Sequence, residues 1–104
     1  MTLVEIAALL GAVDPGIRFG WSMAKGEDYT YWEPTRRLPL VADDRHAEEG
    51  WAFYVHRFTR RADDPIAPAL FAALDGQPNV TVEWTQAPER ETGYIHHVFA
   101  CEAV

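Results

Sequence analysis

Apolar residues recur at helical spacing at the start of the chain. The positions are three or four residues apart: Leu3, Ile6, Leu10 and Val13. Residues at this spacing share one face of a helix. Thr2 and Glu5 have the spacing of a capping box, in which each side chain accepts a bond from a backbone N–H of the first turn. We therefore predict a first helix from about Leu3 to Ala12, ended by the turn at 14–16.

A second helical pattern follows the middle of the chain, with apolar residues at Ile66, Leu70 and Leu74. Asp64 directly before Pro65 is typical of a helix N-cap followed by the first helical position. The pattern predicts a helix from Pro65 to about Leu74, ended by Asp75-Gly76. Pro68 lies near the end of the first turn, where its missing N–H and its ring begin to be costly. We expect this helix to start slightly late or to be distorted there.

The rest of the apolar positions alternate with polar ones, as in strands. The predicted strands are 17–21, 29–33, a short one at 38–41, 51 to about 59, 80–85 and 94–103. Pro34 indicates that the second of these ends there or lies at a sheet edge, since proline cannot donate to a strand ladder. A polar turn or protruding loop is predicted for 42–50.

These elements predict an α+β fold in the order α-β-β-β-β-α-β-β. Two helices would pack on one face of a mostly antiparallel sheet. The chain has 104 residues, 48% of them hydrophobic, and contains no internal repeat or linker. This length and composition indicate a single domain, 1–104, with a packed core.

The predicted strand from Trp51 to Thr59 has large apolar groups on both faces. One face carries Trp51, Phe53, Val55 and Arg57, and the other Ala52, Tyr54, His56 and Phe58. A strand with only one covered face would alternate apolar and polar residues more cleanly. We therefore expect the second face to be covered as well, by a helix or by a neighbouring subunit.

The net charge of −7 argues against a general nucleic-acid binder and against binding to an anionic membrane surface. A local basic patch remains open, because one stretch of the chain contains Arg36, Arg37, Arg57, Arg60 and Arg61. No apolar run approaches the length of a membrane span and no leader-like segment opens the chain, so cytoplasmic synthesis is expected. The lone Cys101 lies in an apolar alternating run and is expected to be a buried, inert thiol.

Candidate chemistry is sparse. His96 and His97 are adjacent on a strand and point to opposite faces, so they cannot share a metal, although His56 could lie beside one of them. Ser22 lacks the glycine-flanked elbow of a hydrolase nucleophile. The paired carboxylates at 43–44 and 63–64 are typical of turns and caps. We therefore expect no catalytic residues, no metal and no cofactor.

The chain resembles small minor tail proteins of tailed phages and prophages of Gram-positive bacteria, similar to tail terminator, or tail-completion, proteins. The resemblance spans nearly the whole chain. It rests on Met1-Thr2-Leu3-x-Glu5-Ile6-x-x-Leu9-Leu10, on Tyr29-x-Tyr31-x-Glu33-Pro34, on the loop Ala42-Asp43 leading to Phe58-Thr59, on Asp63-x-Pro65 or Asp64-Pro65, and on Glu91-Thr92-x-Tyr94-x-x-His97-x-Phe99-x-x-Glu102. Pro68 and the richness in Arg and Trp depart from the family pattern.

The resemblance implies a structural role without enzymatic activity. Such proteins form a ring, usually a hexamer, that caps the tail tube and meets the head–tail connector protein. The expected place is the virion tail, assembled in the bacterial host cytoplasm. Expected interface residues are Tyr29, Trp32, Arg36, Arg37, Trp51, Tyr54, Arg60 and Arg61, the arginines either pairing with acidic neighbours or being solvated. A neck or head–tail joining protein, and a small intracellular ligand- or metal-binding domain around His56, His96 and His97, remain alternatives.

Overall fold

The computed structural model describes residues 1–24, 26–39 and 49–104. In chain order these residues form α1 (Leu3–Val13), β1 (Arg18–Phe19), β2 (Tyr29–Arg37), β3 (Trp51–Thr59), α2 (Ile66–Asp75), β4 (Val80–Pro88) and β5 (Ile95–Ala103). The α+β class is confirmed, with two helices and a five-stranded, mostly antiparallel sheet. Half of the predicted strand at 38–41 and most of the predicted loop at 42–50 lie outside the described residues, and Leu38 belongs to no strand.

The strands lie side by side in the order β1-β2-β3-β5-β4. β5 is therefore central, as its length predicted. One pairing differs from the expected antiparallel arrangement, because β1 runs parallel to β2 over two residues.

Pro34 does not end β2, which continues through it to Arg37, so of the two predicted alternatives the edge position applies. The β2–β3 register shifts between Pro34 and Arg36, which is the signature of a bulge. β1 covers β2 only at Tyr31 and Trp32. Pro34 therefore lies on an open part of the edge, where its missing N–H leaves no neighbouring strand without a donor.

Both helices begin with a side-chain cap from the predicted residue. The Thr2 hydroxyl accepts from the Glu5 N–H at 3.1 Å, and the Glu5 carboxylate accepts from the Thr2 N–H at 3.0 Å. The second helix begins at Ile66, one residue later than predicted, and its immediately preceding residue Pro65 provides no side-chain cap. The capping group is the Asp64 carboxylate, which accepts from the Ala67 N–H at 2.9 Å.

The late start explains why Pro68 is tolerated in α2. With Ile66 as the first helical residue, Pro68 occupies the third position of the helix. The N–H groups of the first turn have no carbonyl partner within the helix, so proline removes no hydrogen bond there.

The main buried cluster joins both helices to one face of the sheet. Its largest fully buried members are Phe53, Phe99, Ile6, Leu10, Leu70, Leu74 and Val55. Phe53 and Val55 have the same parity on β3, and Val55 is the register partner of Phe99 on β5. We call this the core face of the sheet, and the opposite one the outer face.

Candidate interaction surface

The outer face of the sheet carries a band of aromatic and histidine side chains. Strand register places Tyr31 opposite His56, Tyr29 opposite Phe58, and His96 opposite Phe58 on the other side. The rings of Tyr29 and Phe58 are stacked at 4.7 Å, and those of Phe58 and His96 at 4.1 Å. Tyr31, Phe58 and Tyr94 form a second buried cluster, separate from the core that includes the helices.

The second apolar face of β3 is therefore not covered by either of the two helices. One end of it is covered by the described residues of the segment 20–28. The Tyr94 hydroxyl donates to the carbonyl oxygens of Ala24, at 3.0 Å, and Glu27, at 2.6 Å. At the other end, none of the described helices covers the face, and Tyr54 there is 41% exposed.

A shallow depression of about 410 Å³ marks this open end. Its lining on the outer face includes Arg36, Tyr54, Thr81, Glu83, Ala100 and Glu102. An Arg36–Glu102 ion pair, with nitrogen and oxygen 3.3 Å apart and both side chains more than half exposed, spans one side of it. Such an exposed pair adds little stability by itself, so its groups can exchange partners readily.

Two histidines meet at the centre of the outer face. His56 Nδ1 and His96 Nε2 are 2.9 Å apart, so one of these nitrogens must donate a proton and the other accept it. Glu33 Oε1 lies 3.5 Å from His56 Nε2, and Glu89 Oε2 lies 3.8 Å from His96 Nδ1. Burial lowers the pKa of both histidines, and the neighbouring His56 lowers that of His96 further. The pair is therefore neutral at pH 7.

His96 and His97 lie on opposite faces of the sheet, as the strand alternation predicted. His97 lies on the core face, 6% exposed, and accepts at Nδ1 a hydrogen bond of 3.0 Å from the Trp84 indole N–H. Burial also lowers its pKa. Within the described ranges, no three His, Cys, Asp or Glu side chains are grouped so that they could hold a metal ion.

A buried ion pair between Arg57 and Asp64 joins β3 to the start of α2. Arg57 is 7% exposed, and its guanidinium donates to the Asp64 carboxylate at 2.9 and 3.2 Å. Arg57 also donates to the Thr30 hydroxyl at 3.3 Å. Arg57 was one of the arginines of the possible basic patch. Because it is buried and bonded within the chain, it is not available to a partner.

The four aromatic residues predicted at an interface lie in three different environments. Trp32, 2% exposed on the core face, packs edge-on against Phe53. This burial removes it from any surface of the single chain and corrects the expectation for that residue. Trp51 is half-buried, packs against the core and donates its indole N–H to Glu49 at 3.2 Å. Tyr29 and Tyr54 lie on the outer face.

The four predicted interface arginines are exposed but lie in two places. Arg36 and Arg37 are at the end of β2, near the open depression. Arg60 and Arg61 follow β3 at the opposite end of the sheet, where Arg61 pairs with Asp63 at 3.3 Å. The Arg60 guanidinium lies over the Tyr94 ring, 4.3 Å from its centroid. The sheet therefore keeps these arginine pairs apart, and they do not form one basic patch.

Sequence reasoning missed the part played by Tyr31, Phe58 and Tyr94. Their alternation was visible, but which strands lie side by side, and in which register, was not. Tyr94 was placed at the start of the closing strand, whereas its ring belongs to the aromatic cluster just before β5.

A comparison of this chain with protein-family models and with curated protein sequences found no match. None of the helices in the described ranges is long and apolar enough to cross a membrane.

Proposed function

We propose that this chain is a structural subunit of a phage tail that works like a tail terminator. In this proposal, copies of the chain close into a ring, of six subunits by family resemblance, at the end of the tail tube. The ring then meets the connector of the head. The place of action is the virion, and the role requires no catalysis, cofactor or nucleic-acid contact.

The observation that carries the proposal is the outer face of the sheet. Both helices contribute to the buried cluster on the core face, so we infer that they pack on one side only. The outer face nevertheless presents Tyr54, 41% exposed, beside partly exposed Val98 and Ala100. An apolar sheet surface rimmed by polar groups is characteristic of a protein–protein interface.

A ring needs a heterologous contact, in which one surface of a subunit meets a different surface of the next. The sheet supplies a second surface in β4, a nine-residue strand at the end of the strand order. Two of its exposed residues, Thr81 and Glu83, border the same depression as Arg36 and Glu102. The opposite charges of Arg36 and Glu83 give the contact a preferred orientation, as electrostatic complementarity does at other interfaces.

The test is the oligomeric state of the purified full chain, alone and with phage tail-tube subunits. Size-exclusion chromatography with light scattering, followed by negative-stain imaging, should show a ring, or ring formation when tail tubes are added. Tyr54→Lys should abolish it, because the substitution places an unpaired charge in the centre of the interface.

Ala8→Lys is the matched control, because Ala8 is exposed on α1, away from the outer face. It should leave the ring unchanged. Both variants should keep the circular dichroism spectrum and melting temperature of the parent. A chain that stays monomeric at all concentrations, even with tail tubes, would contradict the proposal. Binding to connector alone, with no affinity for tubes, would favour a neck protein instead.

A further inference from the structure

A cavity of about 470 Å³ lies at the covered end of the outer face, between the sheet and the segment 20–28. Its described lining includes five aromatic side chains: Trp21, Tyr29, Tyr31, Phe58 and Tyr94. This volume falls within the range of roughly 300–1,000 Å³ typical of small-molecule sites. The cavity is contained within one chain, so it is independent of the proposed ring.

The walls of the cavity are fixed by hydrogen bonds on both sides. Asp28 accepts from the Thr59 hydroxyl at 2.9 Å and from the Arg60 N–H at 3.0 Å, which fastens the end of the segment 20–28 to β3. The β4–β5 turn is closed by bonds between Glu89 and Tyr94, at 2.7 Å, and between Gly93 and Glu89, at 2.9 Å. Gly93 has φ +77°, a conformation that favours glycine.

The aromatic rings present both faces and edges around the cavity. Tyr29 and Phe58 are stacked, and Tyr94 meets each of them edge-on, with centroids 5.8 and 5.9 Å away. One cation already lies on this cluster, since the Arg60 guanidinium is over the Tyr94 ring, 4.3 Å from its centroid. Aromatic faces attract cations through the ring quadrupole, most strongly where water is excluded.

The charges at the mouth also favour a cation. The charged residues of the described lining are Glu89, Glu91 and Arg60. Two carboxylates against one guanidinium leave one net negative charge. The guanidinium is itself engaged, because it lies on Tyr94 and donates to the Thr92 carbonyl oxygen at 3.3 Å.

We propose that this aromatic cavity binds a small organic cation: an ammonium group with apolar substituents, such as a trimethylammonium head. The substituents would contact Trp21 and Tyr29, and the positive charge would face their rings and the carboxylates of Glu89 and Glu91. Phe58, stacked between Tyr29 and His96, would support the Tyr29 ring from behind. No covalent step is involved.

The experiment is a titration of the full chain with choline, followed by two-dimensional NMR. The comparator is 3,3-dimethylbutan-1-ol, which has the same shape without the charge. Choline should shift the Trp21 indole and the Gly26 and Gly93 amide signals. It should bind about two- to thirtyfold more tightly than the neutral alcohol, which is the range that a cation–π contact provides.

Variants then test the site itself. Trp21→Ala and Glu91→Gln should each weaken choline binding, and because Trp21 is 73% exposed its loss should not disturb folding. Phe19→Ala is the control, since Phe19 is also exposed, at 65%, but lies outside the cavity lining. It should bind choline like the parent.

Three results would overturn the proposal: no shift with choline at millimolar concentration, equal affinity for the neutral alcohol, or an equal loss in Phe19→Ala and Trp21→Ala. Repeating the titration on Tyr54→Lys separates this proposal from the ring. That substitution lies outside the cavity, so choline should bind even if the ring does not form.

Discussion

The Arg57 guanidinium on β3 donates two hydrogen bonds to the Asp64 carboxylate just before α2. Both residues are more than 90% buried. Burial alone would raise the pKa of Asp64, but the bonds from Arg57 and from the Ala67 N–H outweigh it and lower that pKa below its ordinary value. The same carboxylate thus caps the helix and neutralises a buried cation. It fixes the angle at which α2 leaves the sheet.

This pairing predicts that Asp64→Ala is strongly destabilising. Removing Asp64 leaves the buried Arg57 with only its longer contact to the Asp28 carboxylate, at 3.8 Å. Breaking a buried ion pair in this way costs about 3–5 kcal/mol in unfolding free energy. Urea denaturation followed by circular dichroism measures it. Asp63→Ala is the control, because its pair with Arg61 is exposed, and it should change stability little. Similar losses in both variants would show that burial is not the cause.

The His56–His96 pair predicts that stability falls as the solution is acidified. The pKa of each is lowered below 6.5, chiefly by burial. Below pH 6.5 the unfolded chain therefore takes up protons first, so the unfolding free energy decreases as pH falls until the folded pair is protonated too. If both rings were protonated, His56 Nδ1 and His96 Nε2 would both carry a proton, and the hydrogen bond between them would be lost.

Urea unfolding at several pH values between 7.5 and 5 checks this. His96→Gln should reduce the pH dependence over that range, since it removes one titrating group and the shared hydrogen bond. A variant whose stability depends on pH as steeply as the parent's would exclude the pair as the source.

Cys101 is predicted to be unreactive in the native protein. It is 4% exposed on the core face, and burial raises the pKa of its thiol to about 12. Since the thiolate is the reactive form, alkylation by iodoacetamide at pH 8 should be very slow and should become fast in urea. Rapid labelling without denaturant would contradict the buried position.

The start of α2 predicts a strong contrast between two exposed positions, Pro68 and Ala72. Pro68→Ala should change the unfolding free energy by less than about 1 kcal/mol, because proline in the first turn removes no helical hydrogen bond. Ala72→Pro should cost about 3 kcal/mol or more, because it breaks a bond in the middle of the helix. Thermal unfolding distinguishes them, and equal effects would mean that α2 starts elsewhere.

Local patterns predicted most of the fold. The helix at the N-terminus, its capping box and the bounds of β3 follow from residues a few positions apart, and those were confirmed. The parity of β3 also placed Arg57 correctly on the face with Phe53 and Val55. That it would be neutralised by Asp64 was not foreseen, since their approach depends on how the chain turns between strand and helix.

The outer face was predictable only in outline. The sequence indicated that β3 is apolar on both faces, and that His56 might meet one of the neighbouring histidines. It also indicated that both helices pack on one face of the sheet, but not that Tyr29, Phe58 and Tyr94 surround a cavity on the other face. These relationships join residues up to about 70 positions apart, and each depends on strand order.

The sequence by itself determined where helices and strands form, how they are capped and which residues share a face of each. These properties depend on side-chain periodicity and on backbone hydrogen bonds between near neighbours. Only the tertiary structure decided that β1 runs parallel to β2, that His56 meets His96, and that Trp32 is buried while Tyr54 is exposed. Pairing between distant strands fixes those contacts, and its register is a property of the whole sheet.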